Sequence, residues 1–260
     1  CSSDLDAERF LALGARPVSV SGNLKVDTTA PPWDPAELER FKAQIKDRAT
    51  WAAISTFEGE DEIAAAVHRA LTPRHKQLTI LVPRHPERGD AIEAMLVGRG
   101  LKVARRSRSE DIQPETDVYL GDTIGEMGLY LNLTDIAFVG KSLKGGGGQN
   151  PLEPAMLGCA VLSGSNVENF RESYARLLKN GGARYVRDGE MLAKAVHFLL
   201  SNPQARQTMA EGGQKTLQDM RGALKSTVRA LEPYINPLTV KARLMPREHD
   251  DTESRGGGQW

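Results

Sequence analysis

The sequence predicts an α/β fold, a parallel sheet with helices packed on both faces. Three observations lead there. From Thr50 to Leu200, short apolar runs alternate with segments of helical pattern, as strand–helix–strand crossovers do. Ile136-Ala-Phe-Val139 is apolar throughout, and Leu78-Thr-Ile-Leu-Val82 at every position but Thr79, rather than at every second residue, as strands buried from both sides require. The glycine-bearing polar stretches follow the carboxyl ends of these runs, where open sheets of this kind bind ligands.

The elements follow in order. Ser3 to Leu13 has a helical pattern closed by Gly14, Val18 to Val20 reads as a short strand, and Ser21 to Asp27 as a turn. Ala30-Pro-Pro-Trp-Asp-Pro35 is proline-rich and reads as a linker. Pro35 to Arg48 is helical, with Leu38, Phe41 and Ile45 on one face. Thr50 to Ile54 is the first strand of the alternation. Ser55 to Glu62, rich in capping residues and first-turn acids, opens a helix running to about Ala70. Leu78 to Val82 is a strand, Pro83 to Arg88 its loop, and Ala91 to Gly98 a helix. Leu101 to Ala104 and Asp117 to Gly121 are strands, and Asp122 to Gly128 opens a short helix. Ile136 to Val139 and Cys159 to Leu162 are strands. A helix around Asn166 to Leu178, a strand at Ala183 to Val186 and a helix from Gly189 to Leu200 follow. A long amphipathic helix from Pro203 to about Leu231 closes the fold. Strands 50–54, 78–82, 117–120 and 136–139 are expected to be parallel neighbours or near-neighbours. Met245 to Trp260 is polar with a Gly-Gly-Gly run and reads as a disordered tail.

The most informative stretch is Lys144-Gly-Gly-Gly-Gly-Gln-Asn-Pro-Leu-Glu-Pro154. Four glycines cannot sit inside a helix, but they can bring bare backbone N–H groups to a ligand. Asn150 is a good N-cap, Pro151 suits a first helical position, and Glu153 lies one turn in. A glycine loop feeding a helix N-terminus is a ready anion site, and a first-turn carboxylate can accept hydrogen bonds from sugar hydroxyls. Alone, the same stretch is also a surface loop before an ordinary helix. It lacks Gly-Lys-Ser/Thr, which disfavours a P-loop, and the spaced glycines of the dinucleotide fingerprint. Arg84, directly at a strand's carboxyl end, suits phosphate or carboxylate. Arg88 is more simply a solvated cation paired with Glu87, and His85 an exposed loop residue. Glu58, Glu60, Asp61 and Glu62 read as first-turn helix acids, a structural role, and Met127 and Leu152 fit a core as readily as a site.

Composition removes several function classes. The chain has 260 residues with 34 Lys+Arg and 34 Asp+Glu; zero formal net charge argues against bulk binding of nucleic acid. Of its two cysteines, Cys1 is terminal and Cys159 opens an apolar strand, so no disulfide is expected and Cys159 reads as core. No cluster has metal-ligand spacing, and no Gly-x-Ser-x-Gly elbow supports a hydrolase triad. No run approaches the roughly 20 apolar residues of a membrane helix. The chain opens on Cys rather than Met, from which an amino-terminal part beyond it is expected.

Six segments then fall together. They are Ser21-Gly-Asn-Leu-Lys-Val-Asp27, Ser55-Thr-Phe-Glu-Gly-Glu-Asp-Glu62, Pro83-Arg-His-Pro-Glu-Arg88, Gly121-Asp-Thr-Ile-Gly-Glu-Met127, Phe138-Val-Gly140 and Gly147-Gly-Gln-Asn-Pro-Leu-Glu-Pro154. In this order and spacing, from about residue 3 to 235, the chain resembles the carboxyl-terminal half of the 3-deoxy-D-manno-octulosonic acid (Kdo) transferases, glycosyltransferases of lipopolysaccharide inner-core synthesis in Gram-negative bacteria. The resemblance implies a GT-B fold, of which this chain is mainly the Rossmann-like carboxyl-terminal domain. Residues 1–30 would be the end of the amino-terminal domain and the hinge, 31–235 the CMP-sugar-binding domain, and 236–260 the tail. It implies CMP-Kdo as donor, the lipid A precursor as acceptor, transfer with inversion, no cofactor and no metal. The expected place is the cytoplasmic face of the bacterial inner membrane, touched through the half this chain does not include. CMP would contact Pro83, Arg84, Gly125, Glu126, Met127, Asn150, Pro151, Leu152 and Glu153, with Ser55 as a further candidate. The family's catalytic base is a glutamate of the amino-terminal domain, so no residue here is assigned that role. Phe57 and Gln149 stand where the family usually or often has His, and the stretch at Lys144 and Gly145 also differs. The last helix of such proteins often crosses back to the other half, so Leu224 and Val228 are expected not to be fully buried on this domain. The competing readings are another GT-B transferase or an epimerase using a UDP-sugar, and a noncatalytic nucleotide-sugar-binding module.

Overall fold

The structure, a computed structural model, describes residues 1–244. The chain divides into two compact units: residues 25–221, and residues 1–24 together with those from 222 on. The divisions fall at Leu24 and Gly222, where boundaries at 30 and 235 were expected. The polar tail expected over 245–260 lies outside the described residues.

The larger unit is built on seven parallel strands: β1 (Thr50–Thr56), β2 (Leu78–Pro83), β3 (Val103–Arg105), β4 (Val118–Leu120), β5 (Ile136–Val139), β6 (Ala160–Ser163) and β7 (Ala183–Tyr185). Their order across the sheet is β3-β4-β2-β1-β5-β6-β7. The four strands expected side by side are therefore contiguous: β1 pairs with β2 and β5, and β2 with β4, all parallel. The order reverses direction at β1, between β2 and β5, the switch point at which such sheets open a crevice.

Both faces are covered, which explains the apolar runs. Ala52, Ile54, Ile80, Tyr119, Ala137 and Val161 point to one cluster. Against them lie α2 (Pro35–Ile45), α5 (Met127–Asn132), α6 (Leu152–Met156), α7 (Arg171–Lys179) and α9 (Pro203–Met220). Trp51, Ala53, Leu81, Leu120, Phe138 and Leu162 point to the other, covered by α3 (Glu60–Leu71), α4 (Gly89–Gly98) and α8 (Gly189–Ser201). This period of two is what a pleated strand dictates. Cys159 is wholly buried, its thiol facing the carbonyl of Thr134 at 3.4 Å, and burial pushes it up to about 12, so it is a core residue as expected.

Several local expectations shift. Helix α2 begins at Pro35 as expected, capped by Asp34, whose side chain accepts the amide of Ala36 at 2.8 Å, but it ends at Ile45, short of Arg48, where Lys46 turns left-handed at φ +54°. The proline segment before it is packed rather than loose: a Cβ on Gly128 would meet the carbonyl oxygens of Pro31 and Pro32 at 2.3 Å. The helix expected from Ser55 begins at Glu60, because β1 continues through Thr56 and Gly59, at φ +86°, turns the chain into α3.

In the smaller unit, α1 spans Asp4–Ala12 and α10 spans Ala223–Leu244. Val18 to Val20 form no strand; the nearby bonds, Cys1 N to Ser19 O and Ser21 N to Cys1 O, make no ladder. The single long helix expected from Pro203 is two, because Arg221 is extended (φ −66°, ψ 156°) and Gly222 is left-handed at φ +98°. Leu224 and Val228 on α10 are 55% and 50% exposed.

Candidate functional site

A cleft of about 750 Å³ opens at the carboxyl ends of the central strands. Ser55, Pro83 and Arg84 contribute from β1 and β2, Thr123 to Gly125 with Met127 and Tyr130 from β4 and α5, and Gly148 to Asn150 with Glu153 from β5 and α6. Asn169 and Phe170, after β6, with Lys25 and Thr28 close it. A smaller cleft of about 420 Å³, lined by Asp27, Gln214 and Arg221 among others, sits beside α9 rather than at the strand ends.

The sequence-predicted residues divide. Ser55, Pro83, Arg84, Gly125, Met127, Asn150 and Glu153 line the cleft. Leu152 is wholly buried in the core and Pro151 is buried behind Asn150. Glu126 turns aside: its carboxylate takes the Arg106 guanidinium at 2.6 to 3.0 Å and the Thr123 hydroxyl at 2.5 Å. The Arg106 contact, the largest influence on it, holds Glu126 below the usual carboxylate range. Arg106 is pinned in turn by Glu37 at 2.7 Å. Glu126 therefore shapes the Thr123–Met127 turn from behind, and the hydroxyl of Thr123 also meets that of Tyr130 at 2.6 Å.

The glycine loop serves differently from the expectation of bare amides. The amide of Gly147 donates to Glu168 Oε2 at 2.7 Å and that of Gly148 to the carbonyl of Lys141 at 3.0 Å. Pro151, expected as the first helical residue, holds the N-cap position of α6 instead of Asn150; Asn150 sits one residue earlier, its Oδ1 accepting the Leu152 amide at 3.1 Å. Its Nδ2 donates to Glu153 Oε1 at 3.0 Å, which aims the carboxylate. Helix α6 has five residues, too few for a macrodipole to build. The polar side chains, not the helix end, carry this wall of the cleft.

Glu60 is the residue that holds the wall in place, more specific a role than that of a first-turn acid. Its wholly buried carboxylate accepts amides from Phe57 and Lys141 on Oε2, at 3.1 and 2.6 Å, and from Ser142, Leu143 and Lys144 on Oε1, at 2.9, 3.0 and 3.3 Å. It thus ties the end of β1 to the loop leaving β5. Ser55 at the hinge of this arrangement sits at φ +51°, beside a register shift between Ile54 and Thr56. A left-handed serine is strained, and strain of this kind gathers at functional sites. Gly140 is required opposite it, since a Cβ there would meet Ser55 O at 2.5 Å and Glu60 Oε2 at 2.8 Å.

The basic loop after β2 is also resolved into roles. Arg88 pairs with the buried Asp61, which also accepts from Thr56 Oγ1 at 2.6 Å, and not with Glu87. Glu87 meets His85 at 3.4 Å. Arg84 is exposed, its side chain makes no ion pair among the described residues, and it faces the cleft. Phe57 lies between His85, ring centroids 5.3 Å apart, and the Lys141 ammonium, 4.9 Å from its ring. Lys25 and Thr123 lay within motifs singled out in the sequence but were not chosen; Thr28, Asn169 and Phe170 carried no local signal.

No family model matches the chain. It is 35% identical over 237 residues to the 3-deoxy-D-manno-octulosonic acid transferase of Haemophilus influenzae, covering 89% of this chain and 56% of that protein. To the Bordetella pertussis enzyme of the same name it is 35% identical over 249 residues, 90% of this chain and 55% of the relative. The chain thus spans about half the length of these relatives. Among solved structures, the C-terminal CMP-Kdo binding domain of WaaA from Acinetobacter baumannii superposes with TM-score 0.67 at 29% identity, over 70% of this chain and 97% of that domain. HepE of Anabaena, in complex with UDP-glucose, matches with TM-score 0.56 at 14% identity over 91% of this chain and 63% of that one, a likeness of fold alone. The chain is a relative of the 3-deoxy-D-manno-octulosonic acid transferases and carries the GT-B fold of their carboxyl-terminal domain.

Proposed function

We propose that the chain is the donor-binding half of a glycosyltransferase that moves Kdo from CMP-Kdo to the lipid A precursor, in lipopolysaccharide inner-core synthesis. The observation that carries the reading is the shared cleft: Arg84 and the Asn150-oriented Glu153 face one space at the sheet's switch point, in a chain whose relatives are Kdo transferases. Arg84 would take the phosphate of CMP with its planar fork. Glu153 would accept the two ribose hydroxyls, and Pro83 with the Thr123–Met127 turn would flank the nucleotide. As the sugar leaves, charge grows on the phosphate, and the guanidinium of Arg84 facing it would stabilise that charge where it develops.

A sugar hydroxyl attacking directly makes one displacement, so transfer inverts the anomeric centre. The reading gives this chain no catalytic base. Glu60 and Asp61, buried near the cleft, are committed to backbone amides and to Arg88, so neither is promoted to that role. The acceptor, the base and the contact with the cytoplasmic face of the inner membrane would belong to the part of the protein beyond this chain. Among the described residues no helix is long and apolar enough to cross a membrane.

Glu153→Gln tests the site. The substitution keeps shape and loses charge-assisted hydrogen bonds worth about 1.5–3 kcal/mol each, so calorimetry should show CMP affinity falling about tenfold or more. Binding of 2′,3′-dideoxy-CMP should change much less. Equal losses for both nucleotides would remove Glu153 from the ribose.

A further inference from the structure

The acid among the residues lining the cleft is Glu153. A second acid stands in the same wall with its charge turned away. Gly125 and Met127 both face the cleft, and Glu126 lies between them as the N-cap residue of α5. Its backbone therefore belongs to the wall, and only the direction of its side chain keeps a carboxylate out of the space. Arg106 sets that direction. Its Nε donates to both carboxylate oxygens at 3.0 Å, and one terminal nitrogen donates to Oε1 at 2.6 Å. The other terminal nitrogen donates to Glu37 Oε2 of α2 at 2.7 Å, and the guanidinium lies 5.5 Å from the centre of the Phe41 ring. Glu37 is held in turn by Arg40, at 3.0 and 3.1 Å. The planar fork is thus fixed from two sides and holds both carboxylates at once.

The other side-chain partners of Glu126 among the described residues are neutral. Thr123 Oγ1 donates to its Oε2 at 2.5 Å but is shared with the Tyr130 hydroxyl at 2.6 Å, and that hydroxyl lies 3.5 Å from Oε2. Released from Arg106, the side chain can turn into the cleft beside Thr123 and Gly125, toward the space that Arg84 also faces. A phosphate bound there would meet a like charge, and like charges near a protein surface repel more strongly than in water. We propose that Arg106 is a positioning residue for the donor: it withdraws the Glu126 carboxylate from the cleft, so that the Thr123–Met127 turn presents backbone and uncharged side chains, and no anion, to the phosphate of CMP. Arg106 acts through Glu126 and touches no part of the ligand. The assignment rests on the donor-half reading above.

The experiment is calorimetry with CMP and with cytidine on the parent chain, Arg106→Met, Arg106→Lys and the double variant Arg106→Met/Glu126→Gln, each first checked by thermal unfolding. Methionine keeps an apolar stem against Phe41 and removes the charge. Arg106→Met should bind CMP at least about tenfold more weakly, the scale of one charge-assisted interaction, while cytidine, which has no phosphate, should change by less than about twofold. The double variant has no carboxylate left to face the phosphate and should recover most of the CMP affinity, although it restores no ion pair. A residue that only braced the fold could not be rescued in this way. Arg106→Lys keeps the charge but not the fork, and its CMP affinity should lie between those of the parent and Arg106→Met. If Arg106→Met unfolds below the titration temperature, Arg106→Lys with and without Glu126→Gln carries the same comparison. Unchanged CMP affinity in the folded single variant, equal weakening of CMP and cytidine, or a double variant no tighter than the single one would each overturn the proposal and leave the donor-half reading standing. A parent chain that binds no CMP would refute the donor-half reading itself, and this assignment with it.

Discussion

Replacing Glu60 by Gln should loosen the wall of the cleft without altering any residue that faces it. The carboxylate has no exposed surface and accepts five backbone amides, two on Oε2 and three on Oε1. A glutamine must turn its NH₂ toward one set. The smaller set is Phe57 and Lys141, and donor against donor forfeits both bonds. Bonds to a charged acceptor are worth about 1.5–3 kcal/mol each, which sets a range of roughly 3–6 kcal/mol. Lys141 and Leu143 are half-buried and Lys144 exposed, so the loop can turn some amides to water. The lower end, about 3 kcal/mol, is the expected loss, a large share of a domain's ordinary stability. Equilibrium urea unfolding measures it, with Glu58→Gln, at an exposed position of the same segment, as a control expected to change little. Because the Lys141 carbonyl holds the Gly148 amide at 3.0 Å, CMP affinity should weaken as well, in protein that is still fully folded. A loss below about 1 kcal/mol with unchanged CMP affinity would show that the loop holds itself and that Glu60 does not organise it.

Gly140→Ala should disturb the same clamp from the other side, since its Cβ would meet the Ser55 carbonyl at 2.5 Å and Thr56 Cα at 2.7 Å. Backbone cannot give way cheaply, and a loss of about 1–3 kcal/mol in urea unfolding is expected; a neutral result would mean that β1 and β5 separate freely here. His68 predicts a pH dependence. It is buried, its Nδ1 2.9 Å from Thr79 Oγ1, and burial holds it below its ordinary value, against the pull of Asp117. The unfolded chain therefore takes up the proton first, and unfolding free energy should fall as pH drops below about 6.5 and continue falling toward the folded-state value. His75, which meets His197 at 2.7 Å and is also held low, mainly by burial, adds in the same direction. His68→Gln should flatten the profile between pH 7 and 5; an unchanged slope would refute a buried neutral His68.

Much of the fold was legible because parallel strands buried on both faces leave short apolar runs. Ile136 to Val139 and Leu78 to Val82 therefore stood out. Val18 to Val20 failed because a three-residue run can be counted without knowing whether a partner strand exists to pair with it. The break after Met220 had a local signal in Gly222, overridden in the reading by a helical pattern that resumed beyond it. In the site, residues at strand ends were legible: Ser55, Arg84, Asn150 and Glu153 reach one cleft. What could not be read was pairing at long range. Glu60 resembles any acid in a first turn until the amides of 141–144, more than eighty positions away, are seen to converge on it. Glu126 looked like a cleft residue because nothing near it announces Arg106. The glycine run suggested bare amides, whereas Glu168, in a turn after β6, claims one of them.

The central claim is that this cleft holds the nucleotide of a CMP-linked sugar. Calorimetric titration of the chain with CMP and with UDP tests it most directly. The account predicts saturable binding of CMP at a single site and binding of UDP at least about tenfold weaker, a difference of about 1.4 kcal/mol or more. UDP bound as tightly as CMP, or more tightly, would contradict it and turn the reading toward a transferase or epimerase of UDP-sugars.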